Sequence, residues 1–247
     1  MSRKIFNTPA ERIMVALDVD EIEQAREIAE SVKDLGVSFK ISNQLGTYEG
    51  WKAMIAFAHD YNATIFCDTK FKDIPETVKK SARAITRLRP DFFDIMADNN
   101  IAALKAAVEG ARSAERDFNA PRPIILGVTV LTSISNDESI SIYGADSASK
   151  VEQFAQNAAE AGLDGVVCSP QEVTMLRNNP KTANLILVTP GIRPLWAAAG
   201  DQQRITTPKD AIASGTDFLV IGRPITQPPA EIGTPRDAIL KIIEEIS

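Results

Sequence analysis

Two aspartates and two lysines stand within six positions of the stretch CDTKFKDIPET, residues 67–77. They are Asp68, Lys70, Lys72 and Asp73, and they follow a short hydrophobic run. A lysine flanked by carboxylates stays protonated, because each nearby negative charge favours the ammonium form. Such a lysine can stabilise a developing carbanion and then protonate it, and an aspartate fixed beside it favours the departure of a substrate carboxylate as carbon dioxide. The stretch therefore allows acid chemistry at carbon, with a structural salt-bridge network as the alternative.

The elements that must position these residues are predicted by an alternation of two sequence patterns. Short runs rich in Val, Ile and Phe alternate with amphipathic stretches such as 20–36 and 149–162, and Gly162 is placed for a helix C-cap. The apolar runs are 13–18, 37–41, 63–68, 92–97, 124–130, 165–168, 185–189 and 218–221. Eight strands with helical crossovers indicate a closed parallel sheet. We therefore predict an α/β fold, a (β/α)₈ TIM barrel, with residues 1–247 as one domain.

Polar residues recur where these predicted strands end, which is where barrels of this kind carry their chemistry. Asp18 ends the first run, Lys40 lies near the end of the second, and Asp68 and Lys70 end the third. Residues two apart in a strand share a face, so Asp68 and Lys70 should both point into the barrel interior or its mouth. A buried charged array costs desolvation that stability alone rarely offsets. We therefore favour a catalytic array over a structural one.

The segments after the seventh and eighth runs predict a phosphate site. Loops at this place in many barrels bind phosphate through backbone N–H groups, a small residue and a basic side chain. Gly222 and Arg223 match that description, because they directly follow the eighth run. The stretch 195–208 between the two segments predicts a lid that closes over bound phosphate.

Composition and charge exclude several classes of partner. The chain carries 27 basic and 33 acidic residues, a net charge of −6, so no nucleic-acid partner is expected. The two cysteines, Cys67 and Cys168, lie in apolar stretches and indicate neither a disulfide framework nor a metal cluster. The N-terminus lacks a signal-peptide core, and no run of about 18 apolar residues is present to span a membrane. We expect a cytoplasmic protein without a membrane partner.

These residues together resemble the orotidine 5′-phosphate decarboxylases, which perform the last step of UMP synthesis, and the resemblance runs over nearly the whole chain. Its most specific marker is Asp68-x-Lys70-x-x-Asp73-Ile74-Pro75. The supporting matches are the LD of 17–18, VTVLTS at 128–133, GLDGVVCSPQE at 162–172, VTPGIRP at 188–194 and DQQRITTPKDAIASGTDFLVIGRPIT at 201–226. The resemblance implies decarboxylation of orotidine 5′-monophosphate to UMP, with no metal and no organic cofactor.

The resemblance also implies roles for individual residues. Lys70 is the implied proton donor to C6, Asp68 lies beside the scissile carboxylate, and Lys40 and Asp73 complete the catalytic set. The implied substrate-binding residues are Asp18, Ile74, Thr77, Thr132, Arg193, Gln202, Gly222 and Arg223. Asp18 is an implied ligand of the ribose hydroxyls, as are Asp73 and Ile74. Thr132 is implied near the pyrimidine and ribose, and Arg193, Gln202, Gly222 and Arg223 are implied at the phosphate and its lid. A homodimer is implied, in which Asp73 and Ile74 reach into the neighbouring subunit's site.

Three departures from the family pattern accompany these matches. Residues 96–100 read MADNN where many bacterial members have a histidine followed by a glycine pair, and residues 41–43 read ISN where many have Val-Gly after the lysine. Lys72 replaces a common histidine. None of these removes an implied catalytic residue, but Asp98 and Lys72 are expected to change the charge near the mouth.

Two other functions remain open from the sequence. A sugar-phosphate aldolase or decarboxylase of the same superfamily would share the Asp-x-Lys-x-x-Asp core but use a divalent cation, so that EDTA would inhibit it. A catalytically silent nucleotide-binding barrel would bind UMP without turnover, and the departure at residues 96–100 is the feature that suggests it.

Overall fold

The computed structural model describes residues 8–197 and 206–247 and contains a closed barrel of eight parallel strands. The strands follow one another around the barrel in chain order, and the last pairs with the first. Their bounds are β1 Ile13–Leu17, β2 Ser38–Ile41, β3 Ile65–Phe71, β4 Phe92–Met96, β5 Ile124–Val128, β6 Gly165–Val167, β7 Ile186–Thr189 and β8 Phe218–Ile221. The predicted (β/α)₈ barrel is confirmed, and each of the eight predicted runs contains one strand or most of it.

Helices cover the outside of the barrel. In the described part of the chain they are α1 Ile22–Val32, α2 Asn43–Glu49, α3 Trp51–Asp60, α4 Pro75–Arg87, α5 Ile101–Phe118, α6 Asn136–Tyr143, α7 Ser147–Ala161, α8 Val173–Asn178, α9 Pro208–Ser214, α10 Arg223–Thr226 and α11 Pro235–Ile246. Short 3₁₀ helices precede β1 and α8. None of the described helices is long and apolar enough to cross a lipid bilayer.

Local sequence signals fix several helix ends. Ile74 is the N-cap of α4 and Pro75 is its first residue. An N–H at this position would make no hydrogen bond within the helix, so proline costs none there. Gly162 ends α7 in the left-handed conformation, with φ of 84°. The end of α7 at Gly162 was predicted from the sequence and is confirmed.

The barrel interior is filled by side chains from alternate strand positions. This inner cluster consists of Met14, Ala16, Phe66, Phe92, Leu126, Val188, Phe218 and Val220. Phe92 lies edge-on to Phe218, with ring centroids 5.2 Å apart. Burial of each such ring contributes roughly 1.5–3 kcal/mol to folding. The second, larger core lies between the sheet and the helices.

The third strand differs from its prediction at both ends. The run 63–68 was predicted, but β3 begins at Ile65 and ends at Phe71, so that Asp68 and Lys70 lie inside the strand and not at its end. Cys67 pairs with Phe93, and Phe71 pairs with Ile95. Between these two pairs β3 advances by four residues, whereas β4 advances by two. This bulge extends the strand and brings its charged residues to the mouth of the barrel.

Candidate active site

A cavity of about 240 Å³ opens at the C-terminal end of the barrel. Six of the predicted site residues line it: Asp18, Lys40, Asp68, Lys70, Thr132 and Gly222. Phe66 of the inner cluster forms part of its floor. The end of the barrel that was predicted to carry chemistry is therefore a cavity with an apolar floor and a charged wall.

The charged wall is a continuous chain of ion pairs. The Lys40 ammonium nitrogen lies 2.9 Å from Asp18 Oδ1 and 3.1 Å from Asp68 Oδ2. Lys70 Nζ contacts the other oxygen, Asp68 Oδ1. The side chains of Lys40 and Asp68 are 9% and 13% exposed, whereas that of Lys70 is 35% exposed. Lys70 is thus the lysine that reaches open space in the cavity, with Lys40 behind it.

Mutual charge, more than burial, sets the ionisation of this chain. Burial acts to lower the pKa of Lys40, but the negative charges of Asp68 and Asp18 outweigh it, and the pKa is raised. Burial acts to raise the pKa of Asp68, but Lys40 and Lys70 outweigh it and lower the pKa to about 2. At neutral pH Asp68 is therefore a carboxylate held between two cationic groups.

Lys70 occupies a conformation that few residues other than glycine adopt. Its φ is +45°, in the left-handed region, within the bulge of β3. Such conformations cost of order 1–3 kcal/mol and persist only where surrounding contacts hold them. The contact here is a hydrogen bond of 2.6 Å from the Lys70 backbone N–H to Asp94 Oδ1.

Asp94 is a site residue that the sequence analysis missed. It lies in β4, is fully buried, and lines the cavity. The available signal was its spacing, because Phe92 and Asp94 are two apart in a strand and Phe92 belongs to the inner cluster. A carboxyl group on the inner face of a hydrophobic strand is unusual, and it points to a role in the site.

Five of the described predicted residues do not line the cavity of this chain: Asp73, Ile74, Thr77, Arg193 and Arg223. Asp73, Ile74 and Thr77 are exposed, in the loop after β3 and the first turn of α4. Asp73 Oδ1 accepts a hydrogen bond of 2.6 Å from the Ile74 backbone N–H. The side chain of Ile74 is a large apolar group on the surface, and the residue is 65% exposed.

The predicted phosphate end is described in part. Pro190 and Gly191 after β7 line the cavity together with Gly222 after β8. Arg223 is exposed and is the first residue of α10, and the Arg193 backbone N–H donates to Thr206 O at 3.1 Å. Gln202 and most of the predicted lid, residues 195–208, lie outside the described residues.

The residues that depart from the family pattern make structural contacts. Lys72 Nζ lies 2.5 Å from Asp98 Oδ2, so the two unexpected charges offset each other. Asn99 donates to the backbone oxygens of Phe71 and Met96 at 3.2 and 3.1 Å. Asn100 is the N-cap of α5. Asp98 and Lys72 were expected to change the charge near the mouth. Because they form an ion pair with no net charge, that expectation is wrong for the net charge of the two residues.

Within residues 8–197 and 206–247 no group of three or more His, Cys, Asp or Glu side chains is arranged to hold a metal ion. Cys67 and Cys168 are buried free thiols, and burial raises the pKa of both.

Known proteins resemble this chain over nearly its full length. The model of the family described as "Orotidine 5′-phosphate decarboxylase / HUMPS family" matches residues 11–234. Orotidine 5′-phosphate decarboxylase from Syntrophomonas wolfei is 39% identical over 96% of this chain and 98% of its own length. The enzyme of the same name from Moorella thermoacetica is 36% identical over 96% of this chain and 93% of its own.

The fold agrees with this similarity. A crystal structure of orotidine 5′-phosphate decarboxylase from Lactobacillus acidophilus superimposes with a TM-score of 0.79 and 32% identity, covering 96% of this chain and 99% of that one. The chain therefore belongs to the orotidine 5′-phosphate decarboxylase / HUMPS family.

Proposed function

We propose that this protein decarboxylates orotidine 5′-monophosphate to UMP, without a metal or an organic cofactor. The observation that carries the proposal is the chain of ion pairs in the cavity, in which Lys70 faces open space beside the carboxylate of Asp68. Relatives that are 36–39% identical over nearly the whole chain bear the name of this activity.

In the proposed reaction the substrate carboxylate at C6 lies beside Asp68 and C6 lies near Lys70 Nζ. The bond between C6 and the carboxylate carbon breaks, carbon dioxide leaves, and the electron pair stays on C6. The Lys70 ammonium group donates one proton to that carbon, which gives UMP and a neutral lysine that solvent reprotonates. Lys40 keeps Asp68 ionised throughout, because it lies 3.1 Å from Asp68 Oδ2.

Magnitudes indicate which interaction contributes most. Two like charges about 4 Å apart repel by roughly 4 kcal/mol at an effective dielectric constant near 20. Large enzymatic accelerations require on the order of 20 kcal/mol. Repulsion between Asp68 and the substrate carboxylate is therefore a minor contribution. Most of the effect must come from interactions that strengthen in the transition state, chiefly the Lys70 ammonium group facing the carbanion in a closed site.

Phosphate binding is proposed to supply the energy that closes the site. Gly191 and Gly222 line the cavity and leave room for a phosphoryl group, and Arg223 follows Gly222. A guanidinium group can hold a phosphate through two parallel hydrogen bonds. Arg193, Gln202 and Thr132 are proposed to complete the contacts with the phosphate, the lid and the pyrimidine.

The active form is proposed to be a homodimer. Ile74 is a large apolar side chain that is 65% exposed just after β3. Asp73 and Thr77 are exposed on the same loop and helix turn. These residues do not line the cavity of their own chain, which supports the proposal that they complete the site of a partner subunit.

The direct test is loss of orotidine 5′-monophosphate absorbance with the purified protein, with and without EDTA. Turnover should be unaffected by EDTA and should fall by roughly 10³-fold or more in Lys70→Ala, because that change removes the proposed acid and the charge facing the carbanion. Lys33→Ala is the matched control, since Lys33, just after α1, forms an exposed ion pair with Glu30.

Two results would overturn the proposal in different ways. Inhibition by EDTA that added Mg²⁺ reverses would indicate the metal-dependent chemistry of a sugar-phosphate enzyme. No turnover, with UMP still bound, would indicate a silent nucleotide-binding barrel.

A further inference from the structure

A buried carboxyl group lies directly behind the ion pair of Lys70 and Asp68. Asp94 has no exposed surface, and it stands on the inner face of β4, two residues after Phe92. It belongs to the cavity wall, but neither the proposed acid nor the chain of ion pairs from Asp18 to Lys70 includes it. Burial of a carboxyl group is expensive unless its hydrogen bonds are satisfied, so its contacts require an explanation.

One oxygen of Asp94 holds the backbone of the bulge. Asp94 Oδ1 accepts the Lys70 N–H at 2.6 Å, and the Thr69 hydroxyl donates to the Asp94 backbone oxygen at 2.6 Å. Within the bulge the backbone of β3 is out of register with β4, so the Lys70 N–H lacks an ordinary ladder partner. The Asp94 side chain takes that place, and the left-handed conformation of Lys70 depends on it.

The other oxygen indicates where a proton resides. Asp94 Oδ2 is buried, and no donor among the described residues forms a hydrogen bond to it. Asp68 is the carboxylate beside it on the same cavity wall, and the negative charge of Asp68 acts on Asp94. Two carboxyl groups can share a hydrogen bond only if one of them is protonated, and Oδ2 is the oxygen that lacks a donor of its own.

The surroundings place that proton on Asp94 and not on Asp68. Burial and then the negative charge of Asp68 raise the pKa of Asp94 well above its usual range, and they outweigh Lys70, which acts to lower it. Lys40 and Lys70 lower the pKa of Asp68. When the pKa values of two neighbouring carboxyl groups differ in this way, one group is protonated and the other is ionised.

We propose that Asp94 is a positioning residue, a neutral carboxylic acid that donates to Asp68 and holds the Lys70 backbone, so that the Lys70 ammonium group stays directed into the cavity. This role rests on the proposed function only in assigning Lys70 to the reacting carbon. An asparagine has the same shape and offers both a carbonyl acceptor and an N–H donor, so it should replace the acid. A leucine of similar size offers neither.

The experiment compares Asp94→Asn with Asp94→Leu. Asp94→Asn should keep kcat within about 5-fold, whereas Asp94→Leu should lower kcat by roughly 10²-fold, the effect expected when a reacting group moves by about 1 Å. KM should change much less than kcat in Asp94→Leu, because the phosphate end of the cavity is untouched. In the infrared difference spectrum at neutral pH, wild type minus Asp94→Asn, a carboxylic acid C=O band should remain, whereas the band of Glu172, whose pKa burial raises to about 7, should cancel.

Asp91 provides the matched control on the same pair of strands. Asp91 Oδ2 accepts the Ile65 backbone N–H at 2.9 Å, which is the same kind of bond at the opposite end of β3. Asp91→Leu should lower the melting temperature and leave kcat unchanged. Asp91→Asn should leave the carboxylic acid band in place.

Two results would overturn the positioning role. One is a spectrum in which the wild type and Asp94→Asn show the same carboxylic acid band. The other is a loss of kcat in Asp94→Asn as large as that expected for Asp94→Leu. If Asp94→Leu does not fold, the infrared comparison and kcat of Asp94→Asn are sufficient to test the positioning role. The infrared result does not depend on turnover, so an inactive wild type would overturn the proposed function and still leave the protonation of Asp94 measurable.

Discussion

At the scale of single residues, the ion pair of Lys72 and Asp98 explains how the chain accommodates two charges that its resemblance to the family did not lead us to expect. The Asp98 side chain is only 9% exposed, whereas that of Lys72 is 54% exposed. A buried carboxylate without its partner is more costly than an exposed ammonium group without one. Lys72 therefore stabilises the fold by neutralising Asp98, and it does so outside the cavity.

A double-mutant cycle tests this pairing. Lys72→Met should lower the free energy of unfolding in urea by about 1–2 kcal/mol, because it leaves Asp98 unpaired. Asp98→Asn in the same chain should recover part of that loss, with a coupling energy of about 1 kcal/mol.

The control cycle uses the exposed pair of Lys80 and Glu76 on α4, where both side chains are more than 60% exposed. Its coupling should stay below about 0.5 kcal/mol. Equal coupling in the two cycles would show that burial of Asp98 contributes nothing.

At the scale of elements, the ends of β7 and β8 are expected to act together as the phosphate end of the site. The carboxyl ends of parallel strands meet at one edge, so Gly191 and Gly222 both come to line the cavity. Energy from binding this remote group can be used at the reacting carbon, and loss of a phosphate contact should therefore reduce turnover as well as binding.

Arg223→Ala should lower kcat/KM for orotidine 5′-monophosphate by roughly 10³-fold, with the far-ultraviolet circular dichroism unchanged. Arg236→Ala is the control, because Arg236 on α11 pairs with Asp34, which follows α1, with Nη2 and Oδ2 3.0 Å apart. An unchanged kcat/KM in Arg223→Ala would remove Arg223 from the phosphate site.

At the scale of the whole molecule, the proposed dimer explains why predicted site residues lie on the surface. Asp73, Ile74 and Thr77 are exposed on one chain, although the motif that contains the first two is the most specific match in the sequence. Association would bury Ile74 and bring Asp73 to the cavity of the partner. The active site would then be complete only in the dimer.

Ile74→Glu should shift the protein towards monomer in sedimentation equilibrium and lower kcat with it, because a charge would be buried at the interface. Leu240→Glu is the control, a comparable change at an exposed leucine of α11, which packs beside α1 and α9. A monomeric wild type with full activity would contradict the shared site.

The sequence by itself determined the barrel and much of its charged wall. The alternation of apolar runs with helical segments predicted eight strands, and the two-residue period of a strand placed Asp68 and Lys70 on one face. Lys40 and Asp18 were placed at the same mouth of the barrel, because the carboxyl ends of parallel strands meet at one edge. Each of these inferences needed only local periodicity and chain order.

Only the tertiary structure decided which groups touch across strands. The Lys70 backbone and Asp94 are 24 residues apart, and Lys72 and Asp98 are 26 apart, so their contacts depend on the register between β3 and β4. A bulge in β3 interrupts that register, and no local sequence pattern predicted its extra residues. A shift of one residue in a strand turns every side chain to the other face, and closure of the whole sheet selects the register that buries the inner cluster. For that reason the charged residues could be predicted from the sequence, whereas the contact between Asp94 and the Lys70 backbone could not.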